Sequence, residues 1–365
     1  LGPTLEEYPD RMLGEFSVLD PACGDGAFLI GALGYLAQKA EVQDKKIHKL
    51  LYRSIIDSIH GIDIDSQALQ QCKDRLEEIS TSVLGVSADF SQKILLGNSL
   101  IQTDNSARKV FGATLEDQHP VDWHRVYPWV MRDGGFDVII GNPPFLSTKA
   151  MGSSLKDYLR QRYRTIHQQF DIIIPFIELG LRLLRPGGRL GFVISNKILA
   201  ADYGTNLRHT LVTSYVIERM VDISHLNIFE DAATYPHIII VKRPKNPSEA
   251  QNNKTHIIAP PHQPSDLNSQ SNTGTWISQN HFAQLPNTIL APTLTEQKFA
   301  ILQKMLRNTI PLGQACKVRC GVAKTGFTKH LLSLETYEKL SSRTKKDTLP
   351  FLNAGNVHRY HLLSR

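Results

Sequence analysis

A short loop of acceptor groups and one aromatic ring follows a predicted strand at residues 136–140: its sequence is Gly141-Asn142-Pro143-Pro144-Phe145. Proline fixes φ and lacks a backbone N–H, so this loop is rigid and exposes mainly hydrogen-bond acceptors. The Asn142 side-chain oxygen and the Pro143 carbonyl can each accept a hydrogen bond from one N–H of a substrate –NH₂ group. These two bonds direct the nitrogen lone pair toward an electrophile. Phe145 offers a face on which a planar ring can stack. Such a loop activates an amine without a metal or a strong base.

A second loop near the N-terminus has the composition of a ligand-binding turn. Its sequence is Asp20-Pro21-Ala22-Cys23-Gly24-Asp25-Gly26, and it follows a predicted strand at residues 16–19. Gly24 and Gly26 allow the backbone to turn sharply and to approach a ligand closely. A dinucleotide fingerprint requires a further glycine at position 29, which is Leu29, so a pyrophosphate site is disfavoured. An ordinary tight turn between a strand and a helix remains the alternative.

Two more predicted strands end in residues that suit a nucleoside. Asp63 lies within Gly61-Ile62-Asp63-Ile64-Asp65, and its ionised carboxylate can accept a hydrogen bond from each hydroxyl group of a ribose. Asp65 is expected to cap the helix that follows. Asn98, after a third strand, either bonds an adenine edge through its amide or forms a turn.

The elements that position these loops alternate strand and helix along the first 241 residues. Apolar runs predict strands at residues 16–19, 60–64, 94–96, 136–140, 189–195, 217–222 and 237–242, and amphipathic or apolar patterns predict helices at 26–39, 66–79, 170–184 and 295–307. An Arg-Pro-Gly-Gly run at 185–188 is a helix stop signal. This order predicts an α/β fold with a doubly wound, mostly parallel sheet, and ligands at the carboxyl ends of its strands.

Acidic and basic residues are distributed unevenly along the chain of 365 residues. Residues 1–241 hold 24 basic and 29 acidic side chains, whereas residues 242–365 hold 17 basic and 6 acidic ones. We assign residues 1–243 to a catalytic domain, 244–297 to a linker with surface loops, and 298–365 to a smaller basic C-terminal segment. This asymmetry fits a catalytic body with an arm for a polyanion, and a solvated basic surface is the alternative.

Several classes of protein are disfavoured. The mean hydropathy of −0.22 and the lack of a long apolar run argue against a membrane protein. Four cysteines are too few for a disulfide scaffold and indicate a reducing, cytoplasmic setting. Cys316 and Cys320 lack a second pair at zinc-ligand spacing, so we expect no metal. The start at Leu1, without a leader, suggests a fragment of a longer protein.

The two loops resemble motifs I and IV of the gamma-type S-adenosylmethionine-dependent DNA adenine-N6 methyltransferases. More narrowly, the chain resembles the methyltransferase portion of bacterial type II, IIG-like restriction-modification enzymes, in which modification and cleavage can share one polypeptide. Residues 136–140, 184–196 and 229–242 agree with later elements of that family in the same order. The resemblance therefore spans roughly residues 16–243.

The resemblance implies a class I, Rossmann-like methyltransferase fold and a role for each matching residue. The cofactor S-adenosylmethionine would be bound by Asp20, Pro21, Ala22, Gly24, Gly26, Asp63, Ile64, Asn98 and Ser99. Asn142, Pro143, Pro144 and Phe145 would hold the target amine and its base. Phe229 is either a second stacking face or a core residue. The sequence departs from the family at Asn98, where many relatives carry aspartate, and a further cofactor element expected before Leu1 is not recognisable.

The implied reaction is sequence-specific methyl transfer to the N6 amine of a flipped adenine in double-stranded DNA, within a bacterial, cytoplasmic restriction-modification system. A fused or separate endonuclease part would be a partner, and no membrane is involved. Five basic residues after the Asn142 loop either neutralise DNA phosphates or form a solvated helix face: Lys149, Lys156, Arg160, Arg162 and Arg164. The sequence beyond Leu312 resembles the opening of the family's target-recognition domain.

Two other interpretations stay open at this point. Asn-Pro-Pro followed by an aromatic residue also serves methylation of a glutamine amide in release factors and of guanine N2 in ribosomal RNA. The chain could also be a DNA-binding module that keeps the fold without the activity.

Overall fold

Short, buried apolar runs form a mixed sheet of nine strands within the described part of the chain. The computed structural model describes residues 1–8, 11, 13–43, 48–226, 235–258, 260, 274–307, 309–310, 357–358 and 361–362. The chain divides into two units, Leu1–Ala300 and Ile301–Arg365. The sheet and both predicted ligand loops belong to the first unit.

The sheet has the strand order β3-β2-β1-β4-β5-β7-β6-β8-β9. Its strands are β1 (Val18–Asp20), β2 (Ile59–Asp63), β3 (Ile94–Leu96), β4 (Phe136–Gly141), β5 (Leu184–Ser195), β6 (Val216–Asp222), β7 (Pro236–Lys242), β8 (Lys254–Ile258) and β9 (Gly274–Ser278). Strands β1 to β5 are parallel to one another, whereas β7 runs antiparallel to β5 and β6. The carboxyl ends of β1 to β5 therefore share one edge of the sheet.

Helices connect these strands. They are α1 (Gly2–Glu7), α2 (Ala27–Gln43), α3 (His48–Asp57), α4 (Ser66–Ser82), α5 (Asn105–Phe111), α6 (Trp123–Val126), α7 (Pro128–Arg132), α8 (Ser153–Arg162), α9 (Ile173–Leu183), α10 (Asn196–Ala200), α11 (Thr205–Ser214), α12 (Pro247–Asn252), α13 (Gln279–Ala283) and α14 (Glu296–Arg307). In the second unit, β10 (Val357–His358) pairs antiparallel with β11 (His361–Leu362).

Side chains of β4 pack alternately on the two faces of the sheet. Val138 belongs to a core cluster with Leu33 of α2 and Leu76 of α4. The next residue, Ile139, lies on the face of α9, where a Cβ built on Gly180 would come within 3.7 Å of its Cγ2 and 2.4 Å of Leu190 Cδ1. Gly180 thus allows α9 to lie directly on β4 and β5. Helices on both faces confirm the predicted doubly wound architecture.

Differences from the predicted elements have local causes. The helix predicted at 170–184 begins only at Ile173, because residues 170–172 pair with the segment after Phe145. Residues 185–188, predicted as a helix stop before a strand at 189–195, already belong to β5. Gly187 within this segment has φ of 84°. Helices α2, α4, α9 and α14 correspond to the four predicted helices, and the other ten helices of the described residues were not predicted.

The assignment of residues 244–297 to a linker with surface loops is corrected by the structure. Strand β8 pairs with β6, and β9 pairs with β8, so both extend the sheet. Buried side chains explain this, since Ile257, Ile258 and Ile277 are each less than a tenth exposed. The predicted boundaries at 243 and 298 stay predictions, and most of the basic C-terminal segment lies outside the described residues.

A search of the described residues finds no helix that is long and apolar enough to cross a membrane.

Candidate active site at the carboxyl edge of the sheet

The loop after β1 is a tight turn around a buried carboxylate. Asp20, the last residue of β1, is almost fully buried, and its Oδ1 accepts a hydrogen bond from the Ala22 backbone N–H at 3.0 Å. Gly24 and Gly26 have φ of 50° and 87°, values that favour glycine. A Cβ on Gly26 would lie 2.5 Å from Cys72 Sγ, which explains why that position is glycine. This loop therefore approaches α4 more closely than any side chain would allow.

Space for a ligand opens beside Gly24. Among the described residues, no atom lies within 4 Å of a Cβ built at this position. A substrate or cofactor can therefore approach the backbone of the turn directly.

Burial dominates the electrostatics of Asp20. It raises the pKa of this carboxyl to about 7, and the charge of nearby Asp63 raises it further, while the Ala22 hydrogen bond opposes the shift. A cationic group beside Asp20 would favour its ionised form.

Asp63, at the end of β2, connects the loop after β1 to the loop after β2. Its Oδ2 accepts a hydrogen bond from the Gly24 N–H at 2.8 Å, and its Oδ1 accepts one from the Asp65 N–H at 2.9 Å. A carboxylate has about four lone-pair sites, so Asp63 keeps acceptor capacity for a ribose. Asp65 caps α4 as predicted, because its Oδ1 accepts from the backbone of Gln67 and Ala68. Ile64 between them is 58% exposed and can lie against a flat ring.

The loop after β3 closes against the first loop. The Ser99 hydroxyl donates a hydrogen bond to the Pro21 carbonyl at 2.6 Å. Asn98 forms the turn that the sequence left as an alternative, since its Oδ1 accepts from the Leu100 N–H at 3.2 Å. Its amide nitrogen can still donate a hydrogen bond to an adenine.

The Asn142 loop begins where β4 ends and touches the first loop. A Cβ on Gly141 would lie 2.7 Å from Asp20 Oδ1, so only a glycine permits this contact. Pro143 is buried, whereas Pro144 is exposed and the Phe145 ring is 37% exposed. The predicted cofactor and amine loops are therefore neighbours at one edge of the sheet.

The side-chain oxygen of Asn142 has an unusual environment. It is buried, yet it has no hydrogen-bond partner among the residues that the structure describes. A buried polar atom normally has a partner, and leaving it unpaired costs about 1–3 kcal/mol. The position suits an acceptor that awaits a donor from a ligand.

Sequence reasoning missed Asp171, which supports this loop. Its Oδ1 accepts hydrogen bonds from the backbone N–H groups of Leu146 and Ile173, each at 3.2 Å. A carboxylate directly before a long apolar helix was the available signal, but the helix was predicted to include it.

The structure separates the five basic residues after Phe145. Lys149, Arg160 and Arg164 are exposed and Lys156 is half-buried. Arg162 instead donates to Gln102 Oε1 at 2.7 Å and lies 3.2 Å from Asp104 Oδ2. Arg162 is thus engaged within the protein, whereas the exposed residues remain accessible to a phosphate.

Two predicted features cannot be placed. Phe229 lies outside the described residues, as do Cys316 and Cys320. Within the described ranges, no group of three or more His, Cys, Asp or Glu side chains is arranged to hold a metal ion.

The sequence is similar to known restriction-modification proteins. The family model described as Eco57I restriction-modification methylase matches residues 57–229. The chain is 26% identical over 252 residues to the type II restriction enzyme and methyltransferase RM.Eco57I of Escherichia coli, covering 61% of this chain and 24% of that protein. It is 27% identical over 231 residues to the adenine-specific methyltransferase PglX of Streptomyces coelicolor, covering 57% of this chain and 19% of that protein.

Among solved structures, a nuclease-deletion mutant of the Type ISP restriction-modification enzyme LlaGI, in complex with a DNA substrate mimic, has a similar fold. The TM-score is 0.51 at 16% identity, covering 83% of this chain and 24% of that one. The chain thus spans about a quarter or less of these relatives. Asp63, Asn98 and the Asn142 loop all lie within the matched residues 57–229. Over those residues the chain is similar to the Eco57I restriction-modification methylases, in agreement with the resemblance of its two loops.

Proposed function

We propose that this chain transfers the methyl group of S-adenosylmethionine to the N6 amine of adenine in double-stranded DNA, as the methyltransferase part of a restriction-modification system. The observation that carries this proposal is the buried Oδ1 of Asn142, which has no hydrogen-bond partner among the described residues and follows directly after Gly141, the residue that packs against Asp20. The similarity to restriction-modification methyltransferases, one of them adenine-specific, supports the substrate class.

The residues of the first three loops fit S-adenosylmethionine. The buried Asp20 carboxylate suits the positively charged methionine end, and the open space at Gly24 admits the ligand to the backbone. Asp63 has acceptor capacity for the ribose, and exposed Ile64 offers an apolar surface for the adenine. When bound there, the cofactor supplies a methyl group activated by its sulfonium charge.

The Asn142 loop would bind and activate the target amine. Asn142 Oδ1 and the Pro143 carbonyl each accept one N–H of the exocyclic amine, which turns its lone pair toward the cofactor side of the loop. The partly exposed Phe145 ring stacks on the base. A base inside duplex DNA cannot reach this edge, so the target nucleotide must be flipped, at a cost of a few kcal/mol.

Replacement of Asn142 tests this assignment. Asn142→Ala removes one acceptor from the amine, and we expect methyl transfer to fall by roughly 10²–10³-fold, as for other preorganised polar contacts to a reacting group. The affinity for S-adenosylmethionine should change by less than about threefold, because the cofactor loops are intact. Transfer is measured with labelled S-adenosylmethionine on plasmid DNA, and affinity by calorimetry.

A matched control is Asn105→Ala, at an exposed position on α5. It should transfer methyl groups as the unmodified protein does. Equal loss of transfer and of cofactor affinity in Asn142→Ala would contradict the assigned role. Ribosomal RNA and release factor, offered as competitors in the same assay, should not reduce labelling of DNA.

A further inference from the structure

The Asn142 loop, residues 142–145, is called the amine loop below and is held in place at both of its ends. At the upstream end, Gly141 is the last residue of β4 and pairs with Phe192 of β5. At the downstream end, residues 146–148 form a short ladder with residues 170–172. The Ile172 N–H donates to the Leu146 carbonyl at 2.9 Å, and the Thr148 N–H donates to the Phe170 carbonyl at 3.0 Å. Four residues, two of them proline, are therefore fixed between two anchors.

Asp171 lies at the centre of the downstream anchor. Its Oδ1 accepts the Leu146 N–H, which belongs to the residue directly after Phe145, and the Ile173 N–H, which begins α9. One carboxylate oxygen thus ties the end of the loop to the start of a helix. Because Gly180 seats that helix closely against Leu190 of β5, the anchor is part of the rigid body of the sheet.

The groups around Asp171 show that the carboxylate is partly withdrawn from solvent. Burial raises its pKa, whereas the backbone hydrogen bonds and the charge of Lys197 lower it. The charge of Asp171 also acts on Tyr203: burial together with this charge raises the Tyr203 pKa to about 12. Asp171 is therefore enclosed among specific neighbours and is not a solvated surface charge.

We propose that Asp171 is a positioning residue for the amine loop: by holding the Leu146 N–H it sets the placement of Asn142 and Phe145 against the cofactor loop. This inference rests on the proposed methyl transfer and adds a residue that contacts neither the amine nor the cofactor. A misplacement of about 1 Å in a reacting group can cost on the order of 10²-fold in rate. Loss of the anchor should consequently lower the rate of transfer rather than the binding of cofactor.

The test compares Asp171→Ala with Asp171→Asn in the full chain. The alanine variant loses the acceptor, so single-turnover methyl transfer should fall by roughly 10- to 100-fold. Its cofactor affinity should stay within about threefold. The asparagine variant keeps a side-chain oxygen that can accept both N–H groups, and it should retain at least about a third of the rate. Asp117→Ala, at an exposed position between α5 and α6, is the control and should transfer normally.

Amide hydrogen exchange provides a readout that does not depend on activity. The Leu146 amide should exchange faster in Asp171→Ala than in the unmodified protein or in Asp171→Asn, at equal melting temperature of the domain. Unchanged transfer and exchange in the alanine variant would overturn the inference. So would parallel loss of transfer, cofactor affinity and melting temperature without rescue by asparagine, since that pattern means general structural support.

Failure of the proposed function is distinguishable from failure of this inference. If the unmodified protein binds S-adenosylmethionine but labels no nucleic acid or protein, the proposed methyl transfer is wrong and the positioning role falls with it. If the unmodified protein labels DNA and Asp171→Ala labels it equally well, only the positioning role is wrong.

Discussion

Asn142 and Asp20 differ in how their buried polar atoms are satisfied, and this difference assigns them different roles. The Asn142 oxygen has no partner within the described residues, whereas Asp20 accepts the Ala22 N–H. A neutral acceptor without a partner suits an uncharged amine. A carboxylate with a raised pKa suits a cation, because a nearby positive charge stabilises its ionised form.

The pKa of Asp20 makes a prediction about stability without cofactor. Its pKa is about 7 in the folded protein against a usual value of 3.8, so the folded state binds an extra proton between these limits. Stability from the neutral carboxyl is full below pH 3.8 and is lost as pH rises through about 7. Asp20→Asn should therefore raise the melting temperature at pH 8 and leave it nearly unchanged at pH 4. Its effect at pH 8 is at most about 4 kcal/mol. A melting temperature lowered equally at both values would contradict this account.

Cofactor affinity should show the opposite dependence on pH. Because an ionised Asp20 attracts the cationic end of S-adenosylmethionine, the Kd should rise as the pH falls from 8 to 6. Asp20→Asn should bind more weakly at pH 8 and lose most of this dependence, as measured by calorimetry. A Kd with the same pH profile in both proteins would remove Asp20 from the cofactor site.

At the scale of elements, the ends of β1 and β4 link the cofactor loop to the amine loop. Gly141 and Asp20 lie on adjacent parallel strands, and only the missing side chain of Gly141 lets the carboxylate pack there. The proposed cofactor and amine sites are therefore coupled through a direct contact between the Gly141 backbone and the Asp20 carboxylate.

Gly141→Ala tests this link. The new Cβ would lie 2.7 Å from Asp20 Oδ1, so either the strand or the carboxylate must shift. We expect cofactor affinity and methyl transfer to fall together, each by at least about tenfold. A tenfold change corresponds to a loss of about 1.4 kcal/mol of binding or activation free energy. Gly31→Ala on α2 is a suitable control, because a Cβ there meets no atom of the described residues within 4 Å. Loss of transfer with unchanged cofactor affinity would contradict the coupling.

A second element-scale feature is the buried guanidinium of Arg208, which organises α10 and α11. It donates to the carbonyls of Ile198, Ala201 and Asn287 at 2.7–3.2 Å. Arg208→Met keeps most of the volume but leaves these carbonyls without their donor. The free energy of unfolding should fall by about 3 kcal/mol or more, as measured by urea denaturation. A change below about 0.5 kcal/mol would show that water replaces the guanidinium at no cost.

The sequence predicted the elements that carry the loops because these are strongly apolar and regularly spaced. Strands β1, β2, β3 and β4 lie within two residues of their predicted ends. Strands β8 and β9 were missed because they are five residues long within a segment rich in Pro, Asn and Ser. Asp171 was missed for a different reason: its contact with Leu146 joins residues 25 apart, and no local pattern reports such a pairing.

At the scale of the whole molecule, charge is distributed unevenly along the chain. Residues 1–241 carry five more acidic than basic side chains, and residues 242–365 carry eleven more basic than acidic ones. A DNA-modifying enzyme with an acidic catalytic body needs basic groups elsewhere to neutralise phosphates. Lys149 and Arg164, exposed after the amine loop, are candidates within the body.

Salt dependence can separate phosphate contacts from internal ion pairs. If Lys149 contacts a phosphate, Lys149→Ala should weaken DNA binding equally for all sequences. It should also reduce the slope of log K against log [salt] by about one. Arg162→Ala should instead lower thermal stability and leave the slope unchanged, because Arg162 is engaged with Gln102 and Asp104. Identical slopes for Lys149→Ala and the unmodified protein would exclude a phosphate contact at Lys149.

The Asn142 loop is proposed to direct transfer of a methyl group to adenine N6 in DNA. Methylation-sensitive sequencing tests this on DNA from cells that express the complete gene, in parallel with cells that express its Asn142→Ala form. We expect N6-methyladenine at one position of a defined sequence in the first DNA and its absence from the second. DNA without methylated adenine in both, or the same methylation pattern in both, would contradict it.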